Sequence, residues 1–170
     1  NNNRETSNII YVSPSYSTRW GDVMSVKERF DLTEFARANN KLIIEDDYGS
    51  EFRYFNRPTP SLQGLDGGEN VVYLGTFSKL LLPSIRISFM ILPDTFLYEY
   101  KQKSELYNQT VGKVDQIALC SYIRDGHLNS QIRKSRKLYM QKSKMLCDLL
   151  LHKFGEKVKI LKSDSPLYVR

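Results

Sequence analysis

A lysine in the middle of the chain stands where amine chemistry is favoured. Residues 71–74 form an apolar run that predicts a buried strand, and they are followed by Gly75, Thr76, Phe77, Ser78 and Lys79. A lysine directly after a buried strand is partly desolvated, which lowers the pKa of its ammonium group and frees the amine as a nucleophile. We therefore interpret Lys79 as a candidate nucleophile toward a carbonyl carbon.

Side chains near two strand ends complement this amine. Asp46 follows the apolar run 42–44, and a carboxylate there is the partner that a protonated ring nitrogen needs. The hydroxyls of Thr76 and Ser78, with the guanidinium of Arg86, are suited to holding a phosphate group. Ligands of open α/β sheets collect at the carboxyl ends of parallel strands, so these groups can converge. An amine, a carboxylate and a phosphate cradle together match pyridoxal 5'-phosphate (PLP).

The acids on either side of Asp46 are predicted to have structural roles. Glu45 and Asp47 alternate with Asp46 along the chain, and alternation on a strand turns them to the opposite face of the sheet. An acidic residue at a strand end is commonly a turn or cap residue. Neither is therefore included in the candidate site.

Strands and helices alternate in the first half of the sequence. Short apolar runs predict buried strands at residues 8–12, 42–44, 71–74 and 87–92. Ser25 and Glu28 form a capping box, which predicts the start of a helix. The buried face of this helix is predicted to contain Val26, Phe30, Thr33 and Ala36. The link between the third and fourth strands is too short for a helical crossover, so we expect the fourth strand to be antiparallel.

Beyond Pro93 the pattern is helical. Helices are predicted at about residues 94–107, 113–124 and 129–154, with Gly155 ending the last of them. One face of the long helix is predicted to be lined by Ile132, Tyr139, Leu146 and Leu149. Strand-like runs follow at residues 158–161 and 167–169. The alternation predicts an α/β fold of three αβα layers, with a mainly parallel sheet and one antiparallel strand.

Positive charge is concentrated in one segment. The net charge is +6, and residues 127–162 hold ten Lys or Arg residues against two acids. We interpret this segment as a solvated helix face. Direct nucleic-acid binding by the helix at residues 129–154 is the alternative, but the charges lack the interleaved aromatic residues typical of such surfaces.

The composition narrows the class of protein. Of the 170 residues, 41% are hydrophobic and 26% are charged, the balance of a globular domain rather than of a disordered or fibrous chain. No apolar run is long enough to span a membrane, and the N-terminal residues do not resemble a secretory signal. Cys120 and Cys147 form neither a disulfide framework nor a zinc site. We expect a cytoplasmic protein without a bound metal.

Several linked motifs resemble the MocR-type transcription regulators. In this branch of the GntR family, a winged helix-turn-helix is fused to an aminotransferase-like domain. The resemblance covers about residues 8–154, and its motifs lie at residues 43–54, 60–66, 73–79 and 82–86. It implies a partial fold-type I PLP-dependent aminotransferase-like domain. Residues 1–126 would belong to its large PLP-binding domain, and residues 127–170 would form a connecting helix and the start of the small C-terminal domain.

The resemblance also implies roles for individual residues. Lys79 matches the lysine that binds PLP as a Schiff base. Asp46 matches the aspartate that faces the pyridine nitrogen, and Tyr48 matches the tyrosine that hydrogen-bonds the phenolic oxygen of the cofactor. The phosphate-binding group matches Thr76, Ser78 and Arg86.

For the whole protein, the resemblance implies an effector-sensing, PLP-binding domain of a DNA-binding regulator. The effector would be an amine or amino acid, DNA would be bound by a winged helix-turn-helix outside this chain, and the protein would be a homodimer. The fold would serve regulation rather than turnover. The alternative is a PLP-dependent aminotransferase acting on an amino acid or amine, and the sequence preceding Asn1 would distinguish the two.

One loop departs from the family pattern. Aminotransferases carry Asn-Pro-x-Gly after the strand that matches residues 8–12, and MocR-type chains have Gln and Pro there. Residues 16–21 keep the glycine but lack Asn, Gln and Pro. Arg19 and Trp20 could shape an effector pocket, although a surface turn is the simpler interpretation. The family's phosphate loop, its stacking aromatic and its substrate-binding arginine are expected to lie outside the chain.

Overall fold

The computed structural model describes residues 7–16, 22–52, 59–82 and 84–161. The strands in these ranges are β1 (Ile9–Val12), β2 (Leu42–Asp47), β3 (Val71–Thr76) and β4 (Ser88–Ile91). They form one sheet in the order β1-β2-β3-β4. β1, β2 and β3 are parallel, and β4 is antiparallel to β3. The predicted α/β class, with a mainly parallel sheet and an antiparallel fourth strand, is confirmed.

The described residues form five helices, four of which lie where the sequence predicts a helix. They are α1 (Val26–Ala38), α2 (Leu62–Asp66), α3 (Asp94–Ser104), α4 (Lys113–Arg124) and α5 (His127–Phe154). Short 3-10 turns occupy Pro14–Tyr16, Ser50–Phe52 and Gly155–Lys157. Within the described ranges, no helix combines the length and the apolarity needed to cross a membrane.

The two faces of the sheet differ in what covers them. A small apolar core packs one face against α1 and α2, and it consists of Ala36, Ile43, Leu62 and Val71. Alternation along β2 places Glu45 and Asp47 on this covered face and Asp46 on the other. On that other face, Ile9 and Tyr11 remain 51% and 61% exposed. The carboxylate of Asp46 therefore lies on the open side of the sheet.

The start of α1 is predicted correctly, and its buried face is predicted correctly at Thr33 and Ala36 but not at Val26 and Phe30. The Ser25 hydroxyl accepts a hydrogen bond from the Glu28 amide, and the Glu28 carboxylate accepts one from the Ser25 amide. Val26 and Phe30 are 52% and 54% exposed. The residues of α1 that are buried are Arg29, Thr33 and Ala36. The helix is turned in this way because its core face carries a cation for a buried acid of β2, Glu45.

The C-terminal part agrees with the prediction only in its helices. α5 ends at Gly155, whose φ of 52° suits glycine. The strand predicted at residues 158–161 is not formed among the described residues, and the Val158 amide donates to the Gly155 carbonyl at 3.3 Å. The strand predicted at residues 167–169 lies outside the described residues. The boundary between residues 126 and 127 stays a prediction.

The predicted apolar face of α5 is covered only in its first part. Ile132 is half-buried, and the Tyr139 ring meets the Phe52 ring edge-on at 5.5 Å between centroids. Leu146 and Leu149 are 46% and 58% exposed. Burial therefore stops where α5 runs beyond the Ser50–Phe52 turn.

Gly75 allows close contact between β3 and β4. It lies opposite Phe89 in the antiparallel register, and the Phe89 ring packs near Phe77 and Tyr73, at 5.3 and 6.1 Å between ring centroids. A Cβ atom on residue 75 would lie 2.4 Å from the Phe89 ring. The ring thus occupies the space that any side chain at this position would need.

Replacing Gly75 by alanine is expected to lower the free energy of unfolding by about 1–3 kcal/mol, because the added methyl group overpacks this contact. Urea unfolding of the full-length protein would measure the loss. Gly75→Ala combined with Phe89→Leu should recover part of the stability, since the smaller side chain makes room. A single variant as stable as the wild type would contradict the packing argument.

Candidate functional site

The turn after β3 is fixed against the segment that leads into β4. The Phe77 amide donates to the Ile87 carbonyl at 2.9 Å. The Ser78 hydroxyl donates to the Ile85 carbonyl at 2.7 Å, and the Ser78 amide donates to the Thr76 hydroxyl at 3.2 Å. These bonds hold the turn in one shape and present Lys79 at the carboxyl end of β3.

Lys79 lies against two stacked aromatic rings. Its Nζ atom is 4.0 Å from the ring centroid of Tyr48 and 5.8 Å from that of Tyr16. The two rings are 4.9 Å apart between centroids and nearly parallel, at 9°. Partial burial lowers the pKa of Lys79, and the negative charge of Asp46 opposes that shift. The structure thus brings Lys79, Tyr48 and Asp46 together, as the sequence predicts.

Asp46 has a partner that the sequence analysis does not identify. The Tyr11 hydroxyl donates to Asp46 Oδ2 at 2.5 Å. This hydrogen bond is the main cause of the raised pKa of Tyr11, with smaller contributions from burial and from the Asp46 charge. Alternation along β1 and β2 provides a signal for the contact, because Tyr11 and Asp46 lie on the same face of neighbouring strands.

Asp47 links the turn after β1 to the end of β2. It is buried and accepts hydrogen bonds from the Ser15 hydroxyl at 2.7 Å and from the Tyr73 hydroxyl at 2.9 Å. Burial and the nearby Asp47 charge raise the pKa of Tyr73. The structural role predicted for Asp47 agrees with these contacts.

The three residues assigned to the phosphate have separate contacts in the structure. The Thr76 hydroxyl contacts the Ser88 hydroxyl at 3.3 Å, while the Ser78 hydroxyl is occupied by the Ile85 carbonyl. Arg86 is exposed and lines an open cavity of about 630 Å³ whose wall includes Leu119 and Tyr122 of α4. Phosphate binding by Thr76, Ser78 and Arg86 therefore stays a prediction.

Two further predictions concern the effector pocket and a bound metal. Arg19 and Trp20 lie outside the described residues. Within the described part of the chain, His, Cys, Asp and Glu side chains do not form a group of three or more that could hold a metal ion.

The chain is similar to known proteins in both sequence and fold. No family model matches it. The uncharacterized HTH-type transcriptional regulator YdeL of Bacillus subtilis is 43% identical over 162 residues, which are 95% of this chain and 35% of the relative. The probable rhizopine catabolism regulatory protein MocR of Rhizobium meliloti is 32% identical over 162 residues, covering 95% of this chain and 33% of the relative.

Solved aminotransferases have the same fold. A kynurenine aminotransferase of Pyrococcus horikoshii, in complex with PMP, matches with a TM-score of 0.79 and 27% identity, over 92% of this chain and 39% of that one. The multiple substrate aminotransferase of Thermococcus profundus matches with a TM-score of 0.79 and 29% identity, covering 92% of this chain and 39% of that one.

These comparisons show which fold the chain has and which class of proteins its sequence resembles. The chain has the fold of the fold-type I aminotransferases. Its sequence resembles the MocR-type HTH transcription regulators, as its motifs predict, and the similarity to YdeL and MocR confirms that prediction. The chain spans about a third of the length of these curated relatives.

Proposed function

We propose that this chain is part of the effector-sensing domain of a DNA-binding transcription regulator and that this domain binds PLP at Lys79. The observation that carries the proposal is the convergence of an amine, a phenol and a carboxylate, from Lys79, Tyr48 and Asp46, at the carboxyl ends of β2 and β3. The names of the HTH-type relatives and the PMP complex of an aminotransferase with the same fold support it.

The chemistry of these side chains fits the cofactor. The lowered pKa of Lys79 increases the fraction of unprotonated amine at neutral pH. Asp46 lies on the open face of the sheet, where a ring nitrogen has access to its carboxylate. When bound, PLP supplies an aldehyde that reacts with amines and a pyridine ring that withdraws electrons. Lys79, Asp46 and Tyr48 would hold its ring, and Thr76, Ser78 and Arg86 would hold its phosphate.

Each of the ring-binding side chains has a separate task in this proposal. Lys79 offers the amine, and the Tyr48 ring keeps that amine at the strand ends and partly shielded from water. The negative charge of Asp46 favours a proton on the pyridine nitrogen. An amine or amino-acid effector bound here would favour one conformation of the domain and so change the affinity for DNA bound by a module outside this chain.

An aminotransferase is the second candidate, and one observation favours it. The aromatic-amino-acid aminotransferase 1 of Thermococcus litoralis is 27% identical over 95% of this chain and 39% of the relative. The 43% identity to a regulator favours regulation. Gel retardation of promoter DNA by the full-length protein, with and without amines, and assay of amino transfer to a keto acid would separate the two. Steady transfer without DNA binding would reject the regulator.

Replacing Asp46 by alanine is expected to weaken PLP binding about ten- to a hundredfold. A hydrogen bond to a charged group contributes about 1.5–3 kcal/mol, and about 1.4 kcal/mol corresponds to one decade of affinity. Titration of the full-length protein with PLP, followed by its absorption, would measure the change.

The matched control is Asp31→Ala, which removes an exposed acid of α1, the helix that packs on the face of the sheet opposite Asp46. It should leave PLP affinity unchanged. Wild-type affinity in Asp46→Ala would point to Asp47 or to no carboxylate partner for the ring nitrogen, and it would reject the role assigned to Asp46.

A further inference from the structure

A buried tyrosine outside the predicted site completes the surface on which Lys79 rests. Tyr16 is 9% exposed and ends the Pro14–Tyr16 turn that follows β1. Its ring stacks on Tyr48, and both rings lie within 6 Å of Lys79 Nζ when measured to their centroids, at 5.8 and 4.0 Å. We call Tyr16 and Tyr48 the aromatic platform. Only Tyr48 is identified from the sequence.

Hydrogen bonding and packing hold Tyr16 in this position. Ser15, its neighbour in the turn, donates to the buried carboxylate of Asp47 at 2.7 Å. Gly49 has a φ of +111°, and a Cβ atom there would lie 3.0 Å from the Tyr16 hydroxyl. Glycine therefore serves twice at position 49: it permits the backbone conformation and leaves room for the Tyr16 ring. The turn after β1 therefore contacts the end of β2 on both sides of Tyr48: Ser15 bonds Asp47, and the Tyr16 ring packs on Gly49.

The platform has two effects on the lysine. A cation near the face of an aromatic ring is attracted to it, so the rings restrict where the long Lys79 side chain can lie. The rings also exclude water, and this partial burial lowers the pKa of Lys79. Burial outweighs the attraction between the cation and the rings, which acts in the opposite direction, because the pKa of Lys79 is lowered overall. Among the described residues, the charged or titratable groups that face the amine are Asp46, Tyr48 and Tyr16. Asp46 opposes the effect of burial.

We infer that Tyr16 is a positioning residue for Lys79, acting through Tyr48. Its ring supports the Tyr48 ring from the side of the β1 turn, and the pair sets the place and the solvation of the amine. The inference rests on the proposed function, which gives the position and the protonation of this amine a role. Its central test needs no cofactor.

The test measures the reactivity of the Lys79 amine in full-length, PLP-free protein. Acetic anhydride would label the protein at a series of pH values, and mass spectrometry of the Lys79 peptide would give the midpoint of the titration. In the wild type the midpoint should lie below the ordinary 10.5 of lysine. In Tyr16→Leu it should rise toward 10.5 because the amine is more hydrated. Tyr16→Phe keeps the ring and should keep the wild-type midpoint.

A second measurement connects the platform to the cofactor. In Tyr16→Leu, PLP affinity should fall about two- to tenfold, the effect of losing one aromatic ring pair, and Tyr16→Phe should restore it. The control is Tyr98→Leu, which removes a tyrosine of α3 that is 72% exposed. It should change neither the midpoint nor the affinity.

The outcomes separate this inference from the proposed function. An unchanged midpoint in Tyr16→Leu, or equal shifts in the Leu and Phe variants, would overturn the positioning role. If wild-type protein binds no PLP while the midpoints move as expected, the proposed function fails and the positioning role stands. Should Tyr16→Leu not fold, Ser15→Ala, which keeps both rings and removes the bond to Asp47, must raise the midpoint; a wild-type midpoint there overturns the inference.

Discussion

Replacing Lys79 with alanine is expected to abolish the visible absorption that the full-length protein acquires with PLP. The reason is that Lys79 supplies the amine on the aromatic platform, beside the charge of Asp46. Covalent attachment should disappear completely rather than weaken, because the amine of Lys79 itself forms the bond to the cofactor. Borohydride treatment should fix the cofactor on the Lys79 peptide of the wild type and on no peptide of the variant.

Two further variants make this result specific. Lys79→Arg keeps a cation for the platform but lacks a reactive amine, so it should also lose the absorption while remaining as stable as the wild type. Lys113→Ala removes a lysine from the first turn of α4 and should retain full labelling at Lys79. Cofactor fixed on a different lysine, or undiminished absorption in Lys79→Ala, would reject the assignment of Lys79.

The parts of the fold that could be predicted from sequence are those set by local chemistry. The capping box of Ser25 and Glu28 needs only residues that lie three apart, and it is present. The antiparallel direction of β4 follows from the short link after Lys79, since so few residues cannot form a helical crossover. Lys79 and Asp46 could be predicted because each lies within a few residues after an apolar run, and the ends of neighbouring parallel strands meet at one edge.

The parts that could not be predicted depend on partners distant in the sequence. Arg29 is buried in place of Phe30 because its counterion, Glu45, lies on another element. Tyr16 stacks on Tyr48 only after β1 and β2 have paired, so the spacing of Tyr16 alone carries no signal. Residues 158–161 have a strand-like pattern, but an apolar run becomes a strand only where another strand can pair with it.

The buried side chain of Glu45 is an example of such a distant contact, and it joins three elements of the fold. Its side chain is fully buried, and its two carboxylate oxygens accept hydrogen bonds from the Leu62 and Gln63 amides at 2.9 and 3.0 Å. Arg29 Nη1 lies 3.7 Å from Oε1. Burial raises the pKa of Glu45, while the two amides and the Arg29 charge oppose that effect. One side chain thus connects β2, the first turn of α2 and the core face of α1.

Replacing Glu45 by alanine is expected to lower the free energy of unfolding by about 3–5 kcal/mol, because it removes the acid that faces a buried guanidinium. Urea unfolding of the full-length protein would measure the loss. Glu34→Ala, which removes an acid that is 50% exposed and paired with Arg37, should cost less than about 1 kcal/mol.

The pH dependence of the free energy of unfolding provides a second check on the role of Glu45. Since folding raises the pKa of Glu45 above its ordinary 4.5, the part of the stability that comes from its bound proton is present below 4.5 and is lost as the pH rises through the raised value. Glu45→Gln cannot titrate and should remove that slope; a slope unchanged in Glu45→Gln, or a loss in Glu45→Ala no larger than in Glu34→Ala, would show that this buried pair does not anchor α1 and α2 to the sheet.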